Sequence, residues 1–394
     1  MFANSYLSKN NNQKLIEQLP DKATGIIVII PCFKEPDILQ TLESLNQCDL
    51  PNFNVEVIVL INHSEVEAED IKRINQNTKE EVKSWIVENQ NQYVKYYVVG
   101  PVELRKKWAG AGLARKKGMD EAVRRFNSLE KPDGILVSLD ADTLVKKNYL
   151  TEIENHFRDN QKHVGATILF EHQKEGLPKK QLQGIIFYEK FLEYYKNALE
   201  FTGYPFSLFT VGSAFAVTAE AYVKRGGMNR RQAGEDFYFL QNLVQLGVVG
   251  EIKTTKVYPS ARLSDRVPFG TGPILKRWMK GEEDLTLTYN LDAFSDLKQL
   301  FEIKEEFFKT DERRFGNILR RLPEPVQQFL NEDKFWYELA DLNKNCASLR
   351  SFQNRFFQKF NAFKILKFLN FAHEHFYQKV DLNLQIKLLQ NKIP

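Results

Sequence analysis

The chain has 394 residues, 43% of them hydrophobic and 27% charged, an ordinary globular composition long enough for about two domains of roughly 150 residues each. A net charge of +4 does not call for nucleic acid as a partner, and the longest apolar runs fall short of the ~20 residues that span a bilayer. Cys32, Cys48 and Cys346 are scattered in no metal-ligand spacing, and "MFANSYLSKNNNQKL" lacks the apolar core of a signal peptide; the expectation is reduced thiols and a cytoplasmic location.

After a polar leader over 1–23, "TGIIVII" (24–30) reads as a strand buried on both faces, ended by Pro31. "DILQTLESLNQ" follows with apolar residues at helical spacing. "VEVIVLI" (55–61), "VKYYVVG" (94–100) and "GILVSL" (134–139) are further strands, separated by a polar helix within 64–91 and a helix over 113–126. Apolar strands alternating with amphipathic helices predict a parallel sheet covered on both faces. Ligands of such sheets bind beyond the carboxyl ends of the strands, where "PCFKE" and "DAD" both fall. The next stretch is more mixed: a strand at 163–172, an aromatic-rich helix at 179–199, a strand entering a helix over 213–227, and a helix over 234–247. From about 290 to 394, turn residues become rare and Phe, Lys and Leu recur at helical spacing, which predicts a helical C-terminal region.

"LDAD" ends the fourth strand in two carboxylates. On an extended strand, Asp140 and Asp142 would point the same way and converge on one object. Hard oxygen donors suit Mg²⁺ or Mn²⁺, with a substrate diphosphate completing the shell; the plain alternative is a solvated turn. Glu35 in "PCFKEPD" would accept hydrogen bonds from a ribose or base, or would simply charge a helix start. In "KKWAGAGLARKKG", a helix N-terminus with Lys107 or Arg115 nearby would hold an anion or contact a base. Neither a P-loop nor G-x-G-x-x-G is present.

Glu235 and Asp236 in "GEDFYFL" are adjacent carboxylates at a helix start, favoured there by the dipole and also placed to act as a general base. Downstream, "RLSDRVPFGTG" and "LKRWMKG" gather Arg262, Arg266, Lys276, Arg277, Lys280 and Trp278, cations suited to a departing diphosphate or to an exposed basic helix.

Taken in order, these motifs resemble family 2 glycosyltransferases of the GT-A fold. "PCFKE" is similar to that family's P-x-[YF]-N-E, "GLARKKG" to G-x-A-R-N-x-G, and "LDAD" to D-x-D. "VGSAFAVTAEAYVKRGGM" resembles its acceptor-side segment, "GEDFYFL" its E-D-x-x-[LF] helix, and "KRWMKG" its R-W-x-x-G, together over about 24–285. The resemblance implies a GT-A, Rossmann-like, mostly parallel α/β sheet flanked by helices over 24–289, ahead of the helical C-terminal region already read over 290–394. It also implies transfer of a sugar from a UDP- or GDP-type donor with inversion, with Mn²⁺ or Mg²⁺ as cofactor.

Carried over by residue, Pro31, Phe33, Glu35, Asn62 and Arg115 would line the nucleoside. Asp140 would lie near the ribose or metal, and Asp142 would bind the metal. Asp236, with Glu235 beside it, would be the base, and Arg266, Arg277 and Trp278 would face the diphosphate or acceptor. Two departures stand out: Lys34 replaces the usual Asn, and "LINHSEVE" lacks the aspartate that reads uracil, leaving Asn62 or His63 in its place.

The alternatives are a nucleotidyltransferase and a silent nucleotide-sugar-binding or membrane-peripheral protein. The expected acceptor is a glycan or a lipid-linked glycan. The Phe-rich basic run 350–369 would rest on the inner face of a membrane, or pack on the protein with its lysines in water. The stripe Phe187, Tyr188, Phe191, Tyr194 and Tyr195 reads as core packing before acceptor stacking, and His163 and His172 as structural.

Overall fold

The computed structural model describes the chain apart from residues 11–12, 209–210, 212–213, 231–233, 265–269 and 393–394. It divides into two compact units, Met1–Leu177 with Thr210–Lys276, and Pro178–Phe209 with Arg277–Pro394.

The first unit is built on a sheet of eight strands. In chain order these are β1 (Thr24–Cys32), β2 (Asn54–Ser64), β3 (Val94–Leu104), β4 (Ile135–Ser138), β5 (Thr143–Val145), β6 (His163–Phe170), β7 (Phe215–Thr218) and β8 (Val248–Pro259). They lie in the order β3-β2-β1-β4-β7-β6-β8-β5. The β3-β2-β1-β4 half and the β6–β8 pair are parallel, whereas β7 and β5 run antiparallel to their neighbours. Every residue of β1 is buried, which is why its aliphatics run without alternation. Ile26, Val28 and Ile30 join the core that includes Leu42, Trp85 and Tyr149 from helices on one face. On the other face the helix Ala111–Ser128 comes so close that a Cβ on Gly118 would sit 2.5 Å from Ile29 Cγ2; only glycine permits that approach. Chain order reverses between β1 and β4, and ligands of such sheets bind beyond the carboxyl ends of strands at a reversal of this kind.

Several elements depart from the sequence reading, β1 and β8 among them. β1 runs through Pro31 to Cys32, with Pro31 opposite Leu60. β8 has no counterpart among the expected strands, because its polar and apolar residues do not alternate cleanly; its burial is decided by pairing with β6 and β5. The leader also has structure. A helix over Asn4–Asn10 places Tyr6 against Asp120, and Tyr6, Lys116 and Tyr222 all converge on that one carboxylate or on each other.

The second unit contains the helices Lys179–Phe201, Leu291–Glu302, Glu312–Leu319, Glu324–Glu332, Phe335–Lys344, Leu349–Lys359, Ala362–His375 and Leu382–Gln390. Its centre is aromatic: Phe294, Phe335, Phe352, Phe356 and Phe360 are all fully buried. The run 350–369 is two helices rather than one, because Phe360 leaves helical geometry and Asn361 caps the next helix through the N–H groups of Phe363 and Lys364. Its rings at 352, 356 and 360 face the unit's own core, and its lysines meet acids from other helices: Lys359 with Asp341, Lys364 with Asp333 and Glu338. Tyr188 and Tyr194 of the aromatic stripe are likewise buried. Among the described residues, no helix is long and apolar enough to cross a membrane.

Candidate active site

The turn after β1 is held by amides. Asn62 donates its side-chain N–H to the Cys32 carbonyl at 3.0 Å, Asn75 donates to the Asn62 carbonyl, and Lys34 N–H donates to Asn75 Oδ1 at 2.9 Å. Asn62 is 2% exposed and is thus placed as a brace between β1 and β2. Lys34 has a φ of 48°, in the left-handed region that asparagine tolerates better than lysine. Phe33 is half-buried and Glu35 is buried, its carboxylate turned into the unit where it accepts from Asp37 N–H at 3.0 Å.

Asp140 and Asp142 lie in a turn between β4 and β5, closed by Thr143 N–H on the Asp140 carbonyl. Gln173 donates to the Asp142 carbonyl and to the Tyr258 carbonyl, and Thr41 donates to the Ala141 carbonyl, so two side chains pin the turn's backbone. The pair is therefore not a straight continuation of β4. Each carboxylate instead carries its own guanidinium, and both remain partly open, at 32% and 24% side-chain exposure.

Arg115 comes from the second turn of the helix Ala111–Ser128, whose start follows Gly110. Its guanidinium, 1% exposed, donates to Asp140 at 2.5 Å and to Glu235. Glu235 opens the helix Glu235–Leu243, set by Gly234 at a φ of 69°. One buried cation therefore joins the "DAD" turn to the "GED" helix start. Glu235 is committed to Arg115, while Asp236 is the less buried of the two carboxylates and accepts from Phe237 N–H at 2.7 Å.

Arg262 follows β8. It grips Glu35 with two N–H groups, one at 2.8 Å, and also donates to Asp37 at 3.2 Å and to Asp142 at 3.1 Å. Burial opposes its charge, but the carboxylates of Glu35, Asp142 and Asp37 outweigh burial and hold it protonated more firmly than an ordinary arginine. The sequence reading placed Arg262 among cations suited to a diphosphate or to an exposed basic helix; no local signal announces a partner as remote as Glu35.

Among the described residues, Asp140 and Glu235 thus share Arg115, and Glu35, Asp37 and Asp142 share Arg262. The partly exposed carboxylates of Asp140 and Asp142 are hard oxygen donors of the kind that suit a divalent ion, although each is paired with a guanidinium in this structure. Among the described residues no cluster of three or more His, Cys, Asp or Glu forms a closed metal cage.

Arg266 lies outside the described residues. Arg277 and Trp278 belong to the second unit, where Arg277 pairs with Glu283 at 3.3 Å and the Trp278 indole donates to the Lys180 carbonyl at 2.8 Å. Lys107 lies over the Trp108 ring. His163 meets His156 at 3.1 Å, and His172 meets Thr271 Oγ1 at 3.1 Å, both within the first unit.

Residues 135–281 match the family described as glycosyl transferase family group 2, a segment that contains "DAD", the "GED" helix and Arg262. No curated relative matches the chain by sequence. Among solved structures, the chain is similar to Staphylococcus aureus TarS 1–349 in complex with UDP-GlcNAc, at 12% identity and a TM-score of 0.41, over 85% of this chain and 92% of that one. It is also similar to the mannosyltransferase PcManGT from Pyrobaculum calidifontis in complex with GDP-Man and Mn²⁺, at 12% identity and a TM-score of 0.39, over 88% and 95%.

Proposed function

We propose that the chain, of which residues 135–281 match glycosyl transferase family group 2, transfers a sugar from a UDP- or GDP-type donor to an acceptor hydroxyl with inversion, using Asp236 as general base. The observation that carries this reading is Arg115, which draws Asp140 and the Glu235–Asp236 helix start into one crevice at the sheet's carboxyl edge. Single displacement needs these two things near each other: a place for the leaving diphosphate and a base for the nucleophile.

A sugar hydroxyl is a weak nucleophile at neutral pH. Asp236 would take its proton as the acceptor oxygen bonds to the anomeric carbon. The bond from that carbon to the donor's diphosphate oxygen breaks on the opposite face, and the nucleoside diphosphate leaves with the electron pair. A positioned base contributes about 10²–10⁴-fold. Asp140 and Asp142 are the residues that would hold Mn²⁺ or Mg²⁺, and such an ion supplies Lewis-acid stabilisation of the diphosphate charge. Arg115 bridges Asp140 and Glu235, which would keep the helix start that carries Asp236 beside the "DAD" turn. The nucleoside would enter beside Pro31 and Phe33, at the end of β1.

The acceptor class in this reading is a glycan or lipid-linked glycan, in the cytoplasm. Membrane contact through 350–369 is left out of it, because the rings that would enter lipid lie in the core of the second unit. The test is Asp236→Asn. It should lower transfer by about 10²–10⁴-fold while nucleotide binding, measured by calorimetry, stays within about twofold. Full turnover by this variant would remove Asp236 from the mechanism. Activity that survives exhaustive chelation would remove the cation.

A further inference from the structure

We propose that Arg262 is a tethered counter-ion for Asp142, occupying that carboxylate in the ion-free protein and competing with the divalent cation for it. The inference rests on the assignment of the cation to Asp140 and Asp142 above.

The geometry divides Arg262 into a fixed side and a yielding side. Its fixed side is Glu35, 2% exposed, which takes two of its N–H groups. A carboxylate buried this deeply cannot lose a two-pronged cationic partner cheaply, so the guanidinium is anchored there. The yielding side is Asp142, 24% exposed, reached by one N–H at 3.1 Å from the same nitrogen that serves Glu35. A shared, single contact to a partly solvated carboxylate is the weakest link in the set.

A positive group this close to Asp142 Oδ2 lowers the negative potential that would attract a divalent ion, and repels the ion once it arrives. Asp37, at 3.2 Å, offers Arg262 a second partner on the other nitrogen. Arg262 can therefore keep Glu35 and Asp37 while giving up Asp142. An incoming diphosphate adds a further anion for the same guanidinium. The ion and the nucleotide should then assist each other's binding, by the same factor in both directions.

The test is Mn²⁺ titration of the full, nucleotide-free chain, followed by the electron paramagnetic resonance signal of free Mn²⁺. Arg262→Gln should bind Mn²⁺ about tenfold or more tightly than wild type, the order of effect of one neighbouring like charge. Adding Asp142→Asn to that variant should abolish the gain. Because Arg262→Gln removes the two-pronged partner of the buried Glu35, the double variant Arg262→Gln/Glu35→Gln removes the pair together and should show the same tightening, confined to Asp142. Mn²⁺ affinity that is unchanged or weaker in both variants overturns the proposal. If Asp142→Asn in wild type leaves Mn²⁺ binding untouched, the cation assignment itself fails and this inference falls with it. If Asp142→Asn weakens binding while the Arg262 variants do not tighten it, only the counter-ion role is lost.

Discussion

Arg115 and Glu235 form an ion pair in which the two side chains are 1% and 4% exposed. Such a pair is worth little over apolar residues, yet breaking it strands a charge. Arg115→Gln should lower unfolding free energy by about 3–5 kcal/mol, and transfer should be lost along with the placement of Asp236. Urea unfolding of the variant checks the first half. A loss under about 1 kcal/mol would mean that water reaches Glu235 and that the crevice is not braced as described.

Lys34 holds a left-handed backbone at φ 48° with its side chain exposed. Lys34→Gly removes the steric penalty of that conformation, and Lys34→Asn reduces it. Either should raise stability by about 0.5–1 kcal/mol if the turn keeps its shape. A drop in the urea midpoint for both would show that the lysine side chain contributes more than the backbone costs.

Tyr6 donates to Asp120 at 2.6 Å, beside Lys116 and Tyr222 on the same carboxylate. Burial, then the charge of Asp120, raises the Tyr6 phenol well above its ordinary value, so it stays a donor throughout the physiological range. Tyr6→Phe should cost about 1–2 kcal/mol in chemical denaturation. An unchanged midpoint would show that the Asn4–Asn10 helix is only loosely attached.

Asp296 is 6% exposed, and burial raises its pKa to about 6, even though Tyr377 donates to it at 2.7 Å. The folded protein therefore holds this proton more tightly than the unfolded chain does. The resulting stability is fully present below the ordinary carboxylate value of about 3.9 and is lost as pH rises through about 6. Between pH 4 and 7, wild type should lose about 1–2 kcal/mol relative to Asp296→Asn, read from urea curves at both pH values. A wild-type-to-variant gap that does not move with pH would contradict the assignment.

Phe356 is fully buried among the rings of Phe301, Phe307, Phe335 and Phe360. Phe356→Ala should destabilise the second unit by about 3–5 kcal/mol. Thermal unfolding followed by near-ultraviolet circular dichroism would report it. A negligible shift would reopen the reading in which this face is kept for a partner.

Much of the site's neighbourhood could be read from one dimension. Uninterrupted aliphatics mark β1, β2 and β4 because a strand buried on both faces has no polar side to show, and the residues that follow them must reach the carboxyl edge. "PCFKE", "DAD" and "GED" were therefore legible as motifs, and their order carried the family resemblance. β8 was not, since its residues are mixed in polarity and only pairing with β6 and β5 makes them a strand. The Phe run at 350–369 shows an apolar periodicity, but periodicity is silent about what covers it; here that is the unit's own aromatic core.

Local chemistry, then, determined which side chains stand at the edge of the sheet. Tertiary structure alone decided how they pair: Arg115 with Glu235 across 120 positions, and Arg262 with Glu35 across 227. Such pairings depend on how strands and helices stack in three dimensions, and burial makes each unpaired charge too costly to keep, so the partner is chosen by proximity in the fold rather than by spacing in the chain.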